Sequence, residues 1–250
     1  MNRIADYALI GDCHSAALVG RDGSIDWACF PCFDSPAIFC AMLDARSGGS
    51  WSLAARDATQ ATRAYLPDTN VLVTTFTTPG GVLEVTDCMP VERSDPGEPR
   101  RVMAHAAIMR RARCTAGEVE ARVRLAPRFE YGAFLPRFRQ TSPSTADIVG
   151  GADALYVHAS GPVEVTDDAV TASYRLRGGE EVWIDAVWRP SYEPKIQTID
   201  PAEHAREGAR RLEATIDYWQ SWVARCWYEG IHADAVCLIA MKEGSQNKPA

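Results

Sequence analysis

The sequence has no excess of positive charge and no long apolar segment. Its 250 residues contain 26 Lys and Arg against 33 Asp and Glu, which gives a formal net charge of −7 at pH 7. This balance leaves no surplus of cations to neutralise phosphates, so we expect neither nucleic acid nor an anionic membrane as a partner. No run of about eighteen apolar residues is present, and Asp6 and Asp12 interrupt the stretch where a signal peptide would need an apolar core. We therefore expect a cytoplasmic location and no membrane association.

Cysteine is too sparse for a disulfide scaffold. Eight cysteines in 250 residues are far below the density of small secreted frameworks, so reduced thiols are expected. Cys29 and Cys32, in WACFPC, are spaced like a redox motif, but such a motif needs a helix that begins at the first cysteine. Pro36 disfavours helical geometry just after this pair, so buried or incidental thiols are the better interpretation. No second ligand pair occurs at a zinc-like spacing, and we therefore expect no metal and no other cofactor.

Alternation of apolar and polar residues dominates the middle of the chain. In Glu118 to Leu125 every second residue is apolar, which is typical of a half-solvated antiparallel strand. Two β-branched runs, Val71 to Thr77 and Val82 to Asp87, flank a Pro-Gly-Gly turn and predict a hairpin. Similar alternation predicts strands at Arg101 to Met109, Ala154 to His158, Ala169 to Leu176 and Glu181 to Trp188. Many short strands at this spacing predict a mainly β fold, a large antiparallel β-sandwich over residues 1–198.

The period changes to that of a helix after Asp200. Pro201 follows this residue and Glu203 lies three positions beyond it, which is typical of a helix start. Apolar residues then recur every three or four positions, as on one face of an amphipathic helix: Ala209, Leu212, Ile216, Trp219 and Val223. We expect a linker helix within residues 199–229. Its apolar face can pack on the sandwich or connect the sandwich to a neighbouring domain, and both arrangements stay open.

Several ordered blocks of sequence point to one family. They are DYALIGD from Asp6, DGSIDW from Asp22, FDSP from Phe33, YLPDTNVL from Tyr65, PRFEYG from Pro127 and YWQSWVARCWY from Tyr218. These blocks resemble the N-terminal, trehalase-like domain of bacterial glycoside hydrolase family fifteen proteins, which are glucoamylase-like and trehalase-like enzymes. The resemblance extends nearly from Ile4 to Val236. It implies an antiparallel super-sandwich, a linker helix and then an (α/α)6 barrel that hydrolyses α-glucosidic bonds by inversion.

The resemblance also implies what this chain does not contain. Inverting glycosidases use a protonated and an ionised carboxyl group roughly 6.5 to 9.5 Å apart, and in the family both are glutamates on barrel loops. No catalytic residue is therefore assigned in this chain. The sequence after Val236 departs from the family pattern, so we expect residues 230–250 to be a truncated start of the barrel domain followed by a disordered tail. A frameshift, a deletion, an early stop or a naturally encoded fragment would each explain this departure.

The segment 21–39 supports two interpretations that can hold together. Its Asp-Gly pair is typical of a tight turn between strands, which accounts for the turn residues structurally. The functional interpretation is that Trp27, Phe33 and Asp34 form a loop that leans over the mouth of the barrel. Aromatic faces stack on pyranose rings and carboxylates accept hydrogen bonds from hydroxyl groups, so these three are the candidate substrate-binding residues. Cys32 stands where the family pattern commonly has arginine, which removes one hydrogen-bond donor.

Three classes of function follow from this sequence. The first is the N-terminal accessory domain of an α-glucoside hydrolase, which is not catalytic by itself. Its partners are a catalytic barrel in cis or in trans and an α-glucoside substrate bound through that barrel. The second is a freestanding carbohydrate-binding β-sandwich, and the third is a truncated product without function. We expect the first of these.

Overall fold

The computed structural model describes residues 3–93, 102–193 and 199–225. Seventeen strands and one long helix, Pro201–Val223, account for most of the regular structure in these ranges. In chain order the strands are β1 (Tyr7–Gly11), β2 (Ala16–Gly20), β3 (Ser24–Cys29), β4 (Ala37–Phe39), β5 (Ser50–Ala55), β6 (Gln60–Tyr65), β7 (Leu72–Thr77), β8 (Gly81–Cys88), β9 (Val91–Arg93), β10 (Val102–Ala104), β11 (Ala107–Ala126), β12 (Arg137–Ser142), β13 (Thr145–Gly150), β14 (Asp153–Ala159), β15 (Glu164–Val165), β16 (Val170–Arg177) and β17 (Glu181–Pro190).

Fifteen of these strands build two antiparallel layers that share β11, and β9 and β10 pair in a separate two-stranded sheet. One layer has the order β1-β2-β3-β5-β11-β16-β15, with β4 beside β3. The other has the order β6-β7-β8-β11-β17-β14-β13-β12. Apolar side chains from both layers pack in one buried cluster, to which Ile25 and Leu53 contribute from the first layer and Val85 and Ile184 from the second. The predicted mainly β fold, a large antiparallel β-sandwich followed by a helix, is confirmed.

β11 passes from one layer to the other within its 20 residues. Its first part pairs with β8 and β17, and its second part pairs with β5 and β16. A bulge between Cys114 and Ala116 interrupts the register with β8. Gly117 follows with a φ of 72°, and a Cβ atom there would lie 2.1 Å from the Gly80 carbonyl oxygen. Glycine is therefore the residue that allows the strand to pass between the layers.

The predicted strands are confirmed, with one exception. The predicted hairpin is formed by β7 and β8, and the strands predicted after residue 150 correspond to β14, β16 and β17. The exception is Arg101 to Met109, for which the alternation predicts one strand: residues 102–109 are divided between β10 and β11, and Arg101 lies outside the described residues. Ala106 explains the division, because its φ of 47° lies in the left-handed region and interrupts the extended backbone. Glu118 to Leu125 is the second part of β11 and not a separate strand.

A buried arginine connects the two layers. Arg110 on β11 and Asp87 on β8 lie opposite each other, and both side chains are 0% exposed. The guanidinium donates to Asp87 at 2.8 and 3.2 Å, and to the carbonyl oxygens of Trp51 and Gly23 at 2.8 Å each. Its central carbon lies 5.2 Å from the centre of the Trp51 ring. The carbonyl of the Asp-Gly turn is thus held by a charge from the opposite layer.

The long helix starts at the predicted cap and packs on the sandwich. The Asp200 carboxylate accepts hydrogen bonds from the backbone N–H groups of Ala202 and Glu203 at 2.9 and 3.3 Å. The helix contacts β9, β14 and β17, and its own side chains Leu212 and Trp219 are buried. Of the two arrangements left open by the sequence, this is packing on the sandwich. Residues 226–229 of the predicted linker and the predicted segment 230–250 lie outside the described residues, and the boundary at residue 198 stays a prediction.

Candidate functional site

Trp27 lies on β3, close to the point where this strand meets β4. Its half-buried side chain packs against a small buried cluster of Cys29, Ala37 and Cys40. The ring centroid of Trp27 lies 6.2 Å from that of Tyr131, with an angle of 49° between the ring planes. This distance is typical of a favourable aromatic pair. The strand therefore holds the indole ring at the surface beside a second aromatic ring from a distant part of the chain.

Tyr131 belongs to the turn Phe129–Gly132, whose backbone is strained. Phe129 is 0% exposed and anchors the turn in the core, while Arg128 donates its backbone N–H to a carbonyl of β4 at 2.8 Å. Glu130 and Tyr131 have φ values of 49° and 58°. Each left-handed residue other than glycine costs about 1–3 kcal/mol, and such residues cluster at functional sites. The surrounding structure holds Tyr131 in this position against that cost.

The chain after this turn exposes further large apolar side chains. Tyr131 is 53% exposed, Phe134 44% and Leu135 83%. We call Trp27, Tyr131, Phe134 and Leu135 the aromatic corner. Exposed clusters of large apolar groups are common at binding surfaces, so the aromatic corner is a candidate for one.

Phe33 and Asp34 lie on a short exposed loop, residues 31–36. The loop is closed on itself, since Ser35 donates its N–H to the Cys32 carbonyl at 3.1 Å and its hydroxyl accepts from the Cys32 N–H at 3.1 Å. Phe33 donates its backbone N–H to the His14 carbonyl at 2.9 Å and leaves its side chain 47% exposed. Asp34 is exposed. The backbone of the loop is fixed, while its aromatic and acidic side chains face solvent.

The turn at residues 12–15 contacts both this loop and the long helix. The Asp12 carboxylate accepts two backbone N–H groups of this turn at 2.7 and 2.9 Å, and burial raises its pKa. Cys13 packs against Tyr218 and Trp219 of the helix, and burial raises the pKa of its thiol to about 11. Because Phe33 is bonded to the same turn, the 31–36 loop lies at the end of the molecule where the helix finishes.

Acidic residues that stand close together in the sequence serve turns and ion pairs. Asp22 accepts hydrogen bonds from the N–H and the hydroxyl of Ser24 at 3.1 and 2.7 Å. Asp168 accepts from the Thr166 hydroxyl at 2.9 Å and pairs with Arg124 at 2.7 Å, and these contacts lower the pKa of Asp168. A general acid needs the opposite, a carboxyl group whose pKa is raised. These carboxylates therefore have structural roles.

The structure places the three predicted site residues on two features and not on one loop, because Trp27 lies on β3. Trp27 belongs to the aromatic corner, whereas Phe33 and Asp34 belong to the 31–36 loop. Sequence reasoning missed the neighbour of Trp27, Tyr131. The signal was present, because PRFEYG was one of the blocks that carried the family resemblance. Its left-handed turn has no periodic pattern that would have singled out Tyr131 as an exposed residue.

Within residues 3–93, 102–193 and 199–225, no three His, Cys, Asp or Glu side chains come together in a way that suits a metal ion. The long helix and every other helix in the same ranges lack the combination of length and apolar character that crossing a bilayer requires.

The fold and its loops define the class of protein, a β-sandwich domain with a helix docked on its side. The family of trehalase-like, N-terminal domains matches residues 1–177. This match covers more than half of the chain, and the chain therefore belongs to that family. The resemblance drawn from the sequence is confirmed.

Three trehalases are among the relatives of this chain. The trehalase of Mycolicibacterium smegmatis is 27% identical over 237 residues, which is 88% of this chain and 34% of the relative. The trehalase of Thermoplasma volcanium is 26% identical over 245 residues, or 96% of this chain and 37% of the relative. Trehalase 1 of Sulfolobus acidocaldarius is 35% identical over 131 residues, or 52% of this chain and 20% of the relative.

This chain spans about a third of the length of the first two trehalases it matches. Among solved structures, a putative kojibiose phosphorylase from the human microbiome is similar with a TM-score of 0.36 and 8% identity. That similarity covers 86% of this chain and 34% of the phosphorylase.

Proposed function

We propose that this chain is the N-terminal accessory domain of an α-glucoside hydrolase. It acts together with a catalytic (α/α)6 barrel, supplied in cis or in trans, and is not catalytic by itself. The observation that carries this proposal is the match to a trehalase-like N-terminal family over residues 1–177, in a chain that spans about a third of proteins named trehalase. The catalytic pair of carboxyl groups belongs to the barrel.

The position of the 31–36 loop supports a role beside the substrate. The long helix is the expected linker to the barrel, and its end packs on the turn that also binds the backbone of Phe33. A barrel that follows the helix therefore lies beside this loop. Phe33 then contributes an aromatic face to the sugar, and Asp34 accepts hydrogen bonds from its hydroxyl groups.

The aromatic corner supplies a second part of the surface beside the substrate. Trp27 and Tyr131 present two aromatic rings 6.2 Å apart, held by a buried anchor at Phe129. A pyranose ring has apolar C–H faces that pack on such rings. Trp27 is the candidate for direct contact because its position is fixed by the strand, and Tyr131 limits the space beside it.

The test uses a full-length trehalase of the family, changed at the position that aligns with Asp34. Loss of a hydrogen bond to a charged group costs about 1.5–3 kcal/mol, so Asp34→Ala should raise KM for the disaccharide about tenfold or more. Asp167→Ala is the matched control, since this exposed aspartate lies on the turn before β16. Equal KM values for both variants and the wild type would reject a role for Asp34 in substrate binding.

The exposed aromatic corner also favours a second candidate, a freestanding carbohydrate-binding module. Saturable quenching of tryptophan fluorescence by trehalose, maltose or soluble starch, lost in Tyr131→Ala, would support it. Aggregation of the isolated chain without any sugar response would instead indicate a truncated product. Turnover of any of these sugars by this chain alone would contradict the proposal that it is not catalytic by itself.

The cytoplasm is the proposed compartment. The six cysteines among the described residues are free thiols, as is usual for proteins of a reducing compartment, and this supports the proposal. Fractionation of the producing cells, with the chain detected by an antibody, tests this location.

A further inference from the structure

A polar cluster that is separate from the candidate sugar surface lies beneath the first half of the long helix. A cavity of about 280 Å³ lies there, between the helix and strands β14 and β17. Three histidines line it, His105, His158 and His204. Neither the aromatic corner nor the 31–36 loop includes any of them.

Two of these histidines face the same carboxylate. His158 on β14 lies directly opposite Asp185 on β17 in the strand register. The Nε2 atom of His204, on the helix, is hydrogen-bonded to Oδ1 of Asp185. The rings of His158 and His204 lie 6.1 Å apart at an angle of 73°. The exposed fractions of His158, Asp185 and His204 are only 6%, 4% and 5%.

The surroundings of His158 favour its uncharged imidazole ring. Burial is the main cause that lowers the pKa of His158, and nearby His204 adds to it while Asp185 opposes it. The Nδ1 atom of His204 is buried and has no hydrogen-bond partner among the described residues. One carboxylate therefore serves two buried rings, and it is hydrogen-bonded to only one of them.

The other charged groups on the helix and on β17 that face the cavity already have partners. Glu207 accepts a hydrogen bond from Arg211 at 2.9 Å, one helical turn further on. Arg189, near the end of β17, pairs with Glu193 at 3.4 Å. Arg211 lies close enough to disfavour a proton on His158. These pairs leave little free negative charge for a proton on His158.

The groups that approach from the remaining strands are paired as well. His105, just before β11, lies 2.9 Å from Glu92 of β9 through its Nε2 atom. Asp147 on β13 favours a proton on His158, but it forms an ion pair with Arg139. Asp185 is thus the principal partner for a positive charge on His158, and His204 already occupies it.

We propose that His158, Asp185 and His204 form a proton-sensitive joint that seats the first half of the long helix on the sandwich. The helix is seated while His158 is neutral. When His158 binds a proton, a cation lies in the cavity 6.1 Å from the His204 ring, and the carboxylate opposite it is already hydrogen-bonded to His204. Opening of the cavity lowers the cost of this poorly paired, largely buried charge. The first half of the helix then moves away from β14 and β17.

The direction of the pH effect follows from the lowered pKa of His158. The pKa of His158 is lower in the seated state than in the open state. Such a histidine stabilises the seated state at pH values above its ordinary pKa of about 6.5. That contribution is lost progressively as the pH falls from there through the pKa of the seated state. The second half of the helix does not take part, because Tyr218 and Trp219 are held by apolar contacts with Cys13 and Val91.

Hydrogen exchange of the whole chain, followed by mass spectrometry, tests this joint. Labelling times are scaled to the intrinsic exchange rate between pH 7.5 and pH 5. We expect peptides from residues 201–212 to lose protection on acidification by up to about tenfold per pH unit, the limit for one linked proton. Peptides from residues 215–223 should keep their protection. His158→Gln should abolish the pH response, whereas His14→Gln, at an exposed histidine, should retain it.

Several results would overturn the proposal. One is a pH response that persists in His158→Gln, and another is equal loss of protection in both halves of the helix. Titration of the His158 ring by proton NMR gives a test without any variant: a pKa at or above about 6.5 contradicts the joint. None of these outcomes bears on sugar binding, so the proposed function stands or falls separately.

Discussion

Replacement of Arg110 by methionine tests whether the buried ion pair holds the two layers together. Methionine preserves most of the length and the apolar stem but removes four hydrogen bonds, two to Asp87 and one each to the carbonyls of Trp51 and Gly23. The Asp87 carboxylate, 0% exposed, then has no opposite charge. Breaking one partner of a buried pair costs about 3–5 kcal/mol. This is a large part of the roughly 5–15 kcal/mol that stabilises a domain.

The measurement is urea unfolding followed by tryptophan fluorescence, to which Trp51 beneath the guanidinium contributes. With an m value of about 2 kcal/mol/M, Arg110→Met should lower the midpoint by about 2 M. The double variant Arg110→Met/Asp87→Asn removes the uncompensated charge and should recover about 1–3 kcal/mol, since directly bonded residues are coupled. A single variant that costs less than about 1 kcal/mol, or a double variant no more stable than the single one, would refute this reasoning.

Three further predictions follow from local geometry. Gly23→Ala places a Cβ atom 2.3 Å from a carbonyl oxygen of β5, at a φ of 78°, and should destabilise the fold strongly. Gly179→Ala, at a φ of 94° with no atom within 4 Å of the new Cβ, should cost only about 1 kcal/mol of stability. Thermal unfolding compares the two variants. Asp200→Ala removes the helix cap and should cost about 1 kcal/mol, measured by urea unfolding against Asp167→Ala; no difference would count against the cap. Among the six described cysteines only Cys32 is exposed, so native alkylation mapped by mass spectrometry should modify it first, and faster labelling of Cys29, whose pKa burial raises to about 11, would contradict the packing.

Local pattern was enough to predict several of the strands and the helix start. In Glu118 to Leu125 the apolar positions face the core and the charged positions face solvent, as the alternation indicates. Asp200 and Pro201 begin the helix as the capping pattern predicts. These features depend on residues a few positions apart in the chain, and such pairs can be identified from the sequence itself.

Long-range partners were not predictable in the same way. Arg110 stands in the run RRAR, which is typical of a solvent-facing segment, yet its partners lie 23, 59 and 87 residues away. The same limit applies to the contact between Trp27 and Tyr131 and to the trio of His158, Asp185 and His204. In each case distant segments of the chain supply one site, and only the three-dimensional fold brings them together.

Evolution of such a domain is constrained by its longest strand. β11 supplies an inner strand to both layers. Neither layer can therefore be lost, duplicated or exchanged without the other. Loops at its ends can lengthen at small cost, but an insertion between Cys114 and Glu118, where β11 passes from one layer to the other, would disturb both sheets at once. The sandwich is therefore expected to be inherited as an indivisible module.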